Sequence, residues 1–319
     1  MDTPVAFIVF NRPDLTRRTF ERIREQRPSI LFVIADGPRA EVPTDVERCA
    51  EVRDIVSQVD WPCEVHYDWA EANLGLKARV SSGIDWVFTQ TDRTIILEDD
   101  CVPHEDFFGF CEALLDRYES DERVFGITGS NFQDGHIRGT GSYYFSRFNP
   151  LWGWATWKRA WEPFDVDMGF WSDWHDSGGF DKTFPQLEER EYWDEQFESA
   201  RDGRVDSWGY PWIAFNLYSG GLTATPNANL ISNVGFGQDS THLKGQTRAG
   251  FRPVSDLGPL IHPESVEPDT EADWYLYEHR FGGAVRRRRQ SLGGTIAWAI
   301  GGVGRRTQRT WRRWRSGTG

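Results

Sequence analysis

The chain has 319 residues, a net charge of −13 at pH 7 and an aromatic content of 14%. This length allows one large domain or a domain with an appendage. The acidic net charge argues against nonspecific binding of nucleic acid, and the lack of any run of about 20 apolar residues argues against a membrane-spanning helix.

Charged residues are distributed unevenly along the chain. No Asp or Glu follows Glu278, whereas ten Arg lie between residues 284 and 319. Lysine is scarce and occurs only at Lys77, Lys158, Lys182 and Lys244. An acidic, lysine-poor surface fits a halophilic protein, because carboxylates hold hydration and salt screens their repulsion. A high-GC genome would also favour Arg over Lys, so both interpretations stay open.

Strand and helix signals alternate over about the first 130 residues. Apolar or alternating runs predict strands at 5–10, 30–35, 64–69, 94–97 and 124–128. Segments between them predict helices at 14–24, 44–59, 75–88 and 104–118. This order predicts an α/β, Rossmann-like fold with a mostly parallel sheet flanked by helices.

The composition changes after residue 142, where aromatic residues and glycine dominate. A polar helix is predicted at 184–200, a short strand at 222–226 and an irregular loop at 229–242. We expect this aromatic-rich half to continue the first sheet, so that residues 1–282 form one domain with halves at 1–130 and 131–282.

The segment 283–319 is basic and aromatic, with Trp298, Trp311 and Trp314. Its apolar stretch, 292–304, is too short to span a bilayer. Basic flanks with tryptophans predict an anchor on an anionic membrane surface, and a disordered tail is the alternative. The four cysteines show no paired metal or redox spacing, and no signal peptide is recognisable, so we expect a cytoplasmic protein at the inner face of the cell membrane.

Residues suited to ligand contacts stand at the ends of three predicted strands. Asn11 and Arg12 follow the first strand, Asp36 and Gly37 follow the second, and Glu98, Asp99 and Asp100 follow the fourth. In an open α/β sheet, ligands bind where the carboxyl ends of the strands meet. Ionising three neighbouring carboxylates is unfavourable unless a cation balances their charge. Mg²⁺ or Mn²⁺ commonly bridges protein carboxylates to substrate phosphates. The pattern predicts metal-assisted handling of a phosphate-containing ligand, with a solvated acidic turn as the alternative.

The other strand-end residues suggest contacts to the same ligand. Arg12 can pair with a diphosphate, Asp36 can accept a hydrogen bond from a base or ribose, and Gly37 allows a close backbone approach. A surface ion pair and a turn are the respective structural alternatives for Arg12 and Asp36.

Further candidates come from single residues. Lys77, near the start of a predicted helix, can reach a phosphate or simply be solvated. Trp154 and Trp157 are candidate sugar platforms, although most tryptophans of this cluster are expected in the core. His242 can complete a metal shell or touch a phosphate, and a surface position is the alternative.

Taken together, these residues resemble the GT-A fold glycosyltransferases, and more narrowly the prokaryotic nucleotide-diphospho-sugar transferases related to N-acetylglucosaminyltransferase I. The resemblance runs from Val5 to about His242 and is carried by the segments 7–13, 95–100, 106–108, 153–154 and 226–233. It implies that the acidic triplet is a DXD-type motif, in which Asp100 holds Mn²⁺ or Mg²⁺ on the donor diphosphate.

The resemblance also assigns roles to other residues. Asp99 would face the ribose and Glu98 the donor sugar, while Arg12 and Asp36 would contact the nucleotide. The prokaryotic relatives usually carry Asp directly after the tryptophan that matches Trp208, and that Asp is the expected base.

This chain has Gly209 at that position. Glycine cannot deprotonate an acceptor, so Asp206 or Asp173 takes the role, or the transfer is retaining, or activity is lost.

We therefore expect a metal-dependent glycosyltransferase of the hexosyltransferase kind. It would move a sugar from a nucleoside-diphosphate donor, UDP-sugar first, to a glycan or polyprenyl-linked acceptor in surface-glycan or protein-glycosylation assembly. A sugar nucleotidyltransferase and a non-catalytic carbohydrate-binding protein are the alternatives. The nucleotidyltransferase normally has a Gly-rich basic loop after the first strand, which this chain lacks.

Overall fold

The structure, a computed structural model, describes residues 1–235 and 252–290. Its strands are β1 (Val5–Val9), β2 (Ile30–Ala35), β3 (Glu64–Trp69), β4 (Arg93–Glu98), β5 (Cys101–Pro103), β6 (Val124–Thr128), β7 (Tyr143–Ser146), β8 (Trp154–Trp157), β9 (Leu222–Pro226) and β10 (Ile231–Asn233). Its helices are α1 (Pro13–Gln26), α2 (Thr44–Val56), α3 (Leu76–Phe88), α4 (Glu105–Arg117), α5 (Lys158–Trp161), α6 (Trp171–Asp176), α7 (Gly179–Thr183), α8 (Leu187–Arg201), α9 (Gly209–Ser219), α10 (Thr270–Arg280) and α11 (Gly283–Gln290).

The predicted fold class, a mostly parallel α/β sheet flanked by helices, is confirmed. Within the described part of the chain, eight strands form one sheet in the order β3-β2-β1-β4-β8-β6-β9-β7, and a separate antiparallel pair joins β10 to β5. Strands β1 to β4 are mutually parallel, whereas β8 and β7 run against their neighbours. The aromatic-rich half therefore continues the first sheet, as its sequence predicts.

Strand β1 lies between β2 and β4, and both of its faces are buried. Val5, Phe7 and Val9 pack into one core cluster with residues of α1, α2 and α4. Ala6 and Ile8 face the opposite cluster, which α3 and α9 cover. Because both faces of this strand are buried, apolar residues are favoured at every position, which explains its continuous apolar sequence.

The order of the strands reverses between β1 and β4. The chain moves outward from β1 to β2 and β3, and then returns to place β4 on the other side of β1. A crevice opens at such a switch point, outside the carboxyl ends of the two strands, and ligands of open α/β sheets bind there. The residues that follow β1 and β4 are therefore the ones placed to contact a ligand in this crevice.

Helices α6 to α9 add a third core made almost entirely of aromatic rings. Its buried members include Phe148, Trp171, Trp174, Phe180, Trp193 and Phe197. Three tryptophans of the second half, Trp171, Trp174 and Trp193, are therefore buried in this helix packing.

A buried ionic cluster ties this aromatic core to α10. Arg147 donates to Glu189 at 2.6 Å, and its Nε lies 3.6 Å from Asp273. Glu189 is fully buried, and burial raises its pKa to about 7 against the opposing charge of Arg147. Burial likewise raises the pKa of Asp273 to about 6.

We expect the free energy of unfolding to fall as the pH rises from about 4.5 to about 7. Between pH 4.5 and about pH 7, Glu189 keeps its proton in the folded chain and loses it in the unfolded chain. The folded state then binds more protons, so stability decreases with pH, by at most about 1.4 kcal/mol per pH unit for each such group. Urea unfolding across this range would measure the slope, and Glu189→Gln should flatten it. An equal slope in the variant would contradict this assignment.

No helix in the described ranges is both long enough and apolar enough to cross a membrane. The basic segment begins with α11, where Arg286 pairs with Glu195 and Arg287 with Glu278. The rest of it, 291–319, with its three tryptophans, lies outside the described residues, so the membrane anchor stays a prediction.

Candidate functional site

A cavity of about 420 Å³ opens at the switch point. Residues after β1, β2 and β4 line it together with residues from four other segments. Its polar lining residues are Asn11, Arg12, Asp36, Arg39, Asn73, Arg79, Glu98, Asp99, Asp100, Asp206 and Asn233. Strand register explains this convergence, because Val9 lies opposite Ala35 and Ile8 lies opposite Glu98.

Arg12 holds the acidic triplet together. Its Nε donates to Asp99 Oδ2 at 3.1 Å, its Nη2 donates to Asp99 Oδ1, and its Nη1 donates to Asp100 Oδ2 at 2.9 Å. Burial opposes the charge of Arg12, but the charges of Asp99 and Asp100 raise its pKa above the usual value. The guanidinium is therefore a permanent cation between the two carboxylates.

The triplet carries more negative charge than Arg12 can balance. Burial, and then the charge of Asp100, raise the pKa of Glu98 to about 8. Burial also raises the pKa of Asp99 to about 6, although Arg12 works against that shift. The carboxyl groups thus resist ionising together, and a divalent cation would relieve the repulsion between them.

The donor atoms suit a hard cation, but they do not form a closed cage. Among the described residues, the one group of three acidic, His or Cys side chains with ligand atoms within 4.8 Å of one another is His104, Asp106 and Asp256, elsewhere in the fold. A cation at Asp100 would therefore take few protein ligands and complete its shell with water or substrate. Mg²⁺ is usually held in this way beside phosphates.

The group at His104 has a structural explanation. The Nδ1 atom of His104 accepts from the backbone N–H of Asp106 at 3.3 Å, which caps α4. Asp106 in turn accepts from the backbone N–H of Leu257 at 2.9 Å. Two of the three side chains are therefore already engaged in positioning the backbone.

Gly235 brings a second chain segment against the acidic triplet. A Cβ atom at Gly235 would lie 2.1 Å from Asp100 Oδ2. Asn233, two residues earlier, donates to Asp100 Oδ1 at 3.4 Å, and Val234 N–H donates to the backbone oxygen of Asp100 at 2.9 Å. The segment from β10 therefore holds Asp100 through its Oδ1 and its backbone oxygen, whereas Arg12 holds Oδ2. His242, the predicted metal or phosphate contact that follows this segment, lies outside the described residues.

Asn11 is held by a buried hydrogen-bond chain. Its Nδ2 donates to Asp45 Oδ1 at 2.7 Å, and Asp45 also accepts from Nε and Nη2 of Arg39 at 2.6 and 3.1 Å. Asn11 and Arg39 line the cavity, with Asp45 behind them. Asn11 and Arg39 therefore both line the cavity, and Arg39 was not singled out from the sequence.

Asp36 lines the cavity and organises the loop before α3. Its Oδ1 accepts from the backbone N–H of Gly37 and of Leu74, and its Oδ2 accepts from Asn73 Nδ2 at 2.9 Å. Burial raises its pKa. Gly37 is needed for a close approach, but to the backbone of Ala72, which a Cβ would meet at 2.5 Å. Gly37 itself does not line the cavity.

Asp206 reaches the cavity from the second half of the chain. Its two carboxylate oxygens accept from the backbone N–H groups of Leu76 and Lys77, at 2.9 and 3.0 Å. It thereby caps α3, which has no side-chain cap of its own. Asp206 is exposed and lines the same cavity as the acidic triplet.

Two other predicted site residues point elsewhere. Lys77 does not line the cavity, and its Nζ forms an ion pair with Asp167 at 2.8 Å. Asp173 is exposed on α6 and does not line the cavity either. Neither residue is brought to the acidic triplet by this fold.

The prediction that Trp154 and Trp157 form a sugar platform is wrong. Both lie on β8, in the interior of the sheet, and are 1% and 3% exposed. Trp154 packs against Trp161, Trp208 and Trp212, and Trp157 donates its indole N–H to a backbone oxygen. A platform must be open to the sugar, so both residues belong to the core.

The cavity residues missed by the sequence analysis are Arg39, Asn73, Trp152, Asn233 and Gly235. In the sequence, two of these residues are marked only by their closeness to predicted site residues, since Arg39 follows Gly37 and Asn73 precedes Lys77. Trp152 is the aromatic residue of the Trp-Gly-Trp segment that reaches the cavity, two positions before the one predicted.

No protein-family model and no curated protein matches the chain. Solved structures that resemble it include the mannosyltransferase PcManGT from Pyrobaculum calidifontis in complex with GDP-Man and Mn²⁺. That match has 13% identity and a TM-score of 0.37, and covers 69% of this chain and 70% of the other.

A galactosyltransferase, LgtC, in complex with donor and acceptor sugar analogs matches at 9% identity and a TM-score of 0.38, over 70% of this chain and 73% of the other. A UDP-glucose pyrophosphorylase complexed with UDP-glucose matches at 12% identity and a TM-score of 0.27, over 47% and 64%. At such low TM-scores these matches do not show a family or a function for this chain, and a relationship to N-acetylglucosaminyltransferase I finds no support in them. The function is therefore inferred from the residues of the cavity.

Proposed function

We propose that this chain is a divalent-metal-dependent glycosyltransferase of the GT-A kind, which uses a nucleoside-diphosphate sugar as donor. The observation that carries the proposal is the acidic triplet at the end of β4, braced by Arg12 inside a cavity at the switch point of the sheet. A site that only bound sugars would not need carboxylates and a guanidinium arranged to receive a metal and a diphosphate.

The cavity residues divide into groups with different tasks. Asp100 would hold Mn²⁺ or Mg²⁺, and Arg12, relieved of part of its pairing with Asp100, would face the diphosphate. Asp36, Asn73 and Asn11 lie on the β1–β2 side, where the nucleoside would sit, and Glu98 is left for the donor sugar. The metal, when bound, neutralises the charge that develops on the departing nucleoside diphosphate.

Transfer also requires an acceptor hydroxyl and, for inversion, a base. Asp206 is the carboxylate from the second half of the chain that lines the cavity, so we assign it that role. The acceptor would be a glycan or lipid-linked sugar, and the transferred sugar a hexose. A nucleotidyltransferase is the less favoured candidate because α1 begins at Pro13, immediately after Arg12, and leaves no room for a Gly-rich phosphate loop.

Calorimetry with UDP-, GDP- and dTDP-sugars, with and without Mn²⁺, tests the proposal directly. We expect one donor class, UDP-sugars first, to bind tightly only with metal, and the free nucleoside diphosphate to compete with it. A folded sample that binds none of these donors would overturn the proposal. Metal-independent binding of all of them would point to a carbohydrate- or nucleotide-binding protein without this chemistry.

Gly235→Ala should weaken metal-dependent donor binding by at least about tenfold, in line with the loss seen when groups that orient metal ligands are altered. The added methyl would lie 2.1 Å from Asp100 Oδ2, which accepts from Arg12 at 2.9 Å, so Asp100 must move. Calorimetry with and without Mn²⁺ would measure the change.

Gly109→Ala is the matched control. Gly109 lies in α4, and an added Cβ there meets no atom within 4 Å. Unchanged binding in Gly235→Ala would show that Asp100 is free to shift and is not the fixed ligand assigned here.

A further inference from the structure

A second cavity, of about 210 Å³, adjoins the first. Trp152 lines both, and Ser207 of the second follows Asp206 of the first. Its lining is mostly apolar and aromatic and includes Phe132, Asn149, Trp152, Gly209 and Arg280. A molecule in this cavity would lie next to the candidate base.

Arg280, the last residue of α10, brings a charge into this apolar lining. Its guanidinium carbon lies 5.0 Å from the ring centroids of both Phe132 and Trp152. Over residues 1–235 and 252–290, no carboxylate lies within ion-pair distance of it, although Arg12, Arg79 and Arg147 each pair with one or more. Burial, and then the charge of Arg252, lower the pKa of Arg280, so its charge is under-compensated.

A second polar group in the lining also lacks a partner. Asn149 is 1% exposed, and neither its amide nitrogen nor its amide oxygen has a hydrogen-bond partner within the described ranges. Buried polar groups without partners are rare, and they are often satisfied by a ligand or water. Gly209, where the resemblance predicts Asp, keeps a carboxylate out of this lining.

We propose that this cavity is the acceptor subsite and that it selects an acceptor bearing an anionic group, a carboxylate or a phosphate, which pairs with Arg280. This inference rests on the proposed transferase function of the adjoining cavity. A guanidinium binds either oxyanion through two parallel hydrogen bonds. The partly exposed ring of Trp152 would pack against the apolar face of the acceptor sugar, and the sugar hydroxyl would lie toward Asp206.

An Asp at position 209, which the resemblance predicts, would disfavour binding of an anionic acceptor. An Asp at the first position of α9 would share the cavity with Arg280 and pair with it or repel the incoming anion. Gly209 adds no carboxylate to this lining, and Arg280 has no carboxylate partner among the described residues. Together these two features favour acidic acceptors over neutral ones.

Binding of small probes to the full chain and to Arg280→Gln tests the proposal. The probes are methyl glucuronide, glucose 1-phosphate and the neutral methyl glucoside, measured by calorimetry and by tryptophan fluorescence, since Trp152 lines the cavity. We expect at least one anionic probe to bind about 10- to 100-fold more tightly than the neutral one, the range for hydrogen bonds to a charged group. Arg280→Gln should abolish that preference, and the two anionic probes together show which oxyanion is preferred.

Arg201→Gln is the matched control, because Arg201 also stacks over a ring, Trp171, but lies outside the cavity. Arg280→Lys keeps the positive charge and should retain part of the preference for anionic probes. If Arg280 had a purely structural role, Arg280→Gln and Arg280→Lys would lose binding alike, so the two variants distinguish that role from anion binding. Equal binding of anionic and neutral probes, or no binding of any, would overturn the proposal.

Donor binding with Mn²⁺ is measured on the same samples. Donor binding without anion selection would overturn the acceptor inference alone, whereas loss of donor binding in the unmodified chain would overturn the proposed function.

Discussion

Asp100→Asn should abolish metal-dependent donor binding and reduce sugar transfer by about 10³-fold or more. A bound metal supplies several kcal/mol of transition-state stabilisation, and each 1.36 kcal/mol corresponds to a factor of ten in rate. Asparagine keeps the size of the side chain but removes a negative oxygen from the position that Arg12 and Asn233 hold. Calorimetry with Mn²⁺ and a single-turnover transfer assay would measure both effects.

The fold itself should survive this substitution. Arg12 keeps both of its hydrogen bonds to Asp99, so the triplet remains tied to the end of β1. Asp116→Asn is the control, since it removes a carboxylate from an exposed pair with Arg93 outside the cavity. Full transfer activity in Asp100→Asn would show that the metal, if one is used, sits elsewhere.

The sequence predicted the part of the site that depends on parallel strands. Arg12, Asp36 and Asp99 each follow a continuous apolar run, and any doubly wound sheet brings the carboxyl ends of such runs to one edge. The strands 30–35, 64–69 and 124–128 were predicted with the bounds that the structure has. Here local pattern and fold agree, because a buried parallel strand leaves little choice of residue.

The second half was harder to predict because its signals are not local. Trp154 stands on an antiparallel strand inserted between β4 and β6, and a tryptophan buried there has the same sequence surroundings as one exposed on a loop. Helix α9 begins with Gly209, Tyr210 and Pro211, which resemble a turn, although proline is tolerated in a first helical turn. Arg39 and Asn11 meet through Asp45, a contact that only the fold reveals.

Asp206 shows most clearly how one residue acquires two tasks. It caps α3, a helix 130 residues earlier in the chain, with both carboxylate oxygens, and it borders the cavity beside the acidic triplet. A carboxylate at a helix N-terminus is stabilised by the backbone N–H groups and the helix dipole, which fixes its orientation. Its remaining lone pairs are available to accept a proton from an acceptor hydroxyl.

Asp206→Asn should therefore reduce kcat by about 10²- to 10⁴-fold, the contribution of a general base, while donor affinity stays unchanged. It should also cost about 0.5–2 kcal/mol of stability, because the amide can accept at only one atom and one N–H of α3 loses its partner. Asp269→Ala is the matched control, since Asp269 caps α10 by accepting from Ala272 N–H at 2.8 Å, away from the cavity, and alanine removes that one hydrogen bond. Kinetics and urea unfolding on both variants separate the two tasks.

The comparison has a decisive form. If both variants lose similar stability but only Asp206→Asn loses turnover, the carboxylate acts on the acceptor. If Asp206→Asn loses stability and keeps its turnover, Asp206 is a helix cap alone. The transfer would then proceed without a protein base at Asp206, and Gly209 offers none at the position where the resemblance predicts one. A retaining mechanism would be the remaining alternative, and the anomeric configuration of the product would test it.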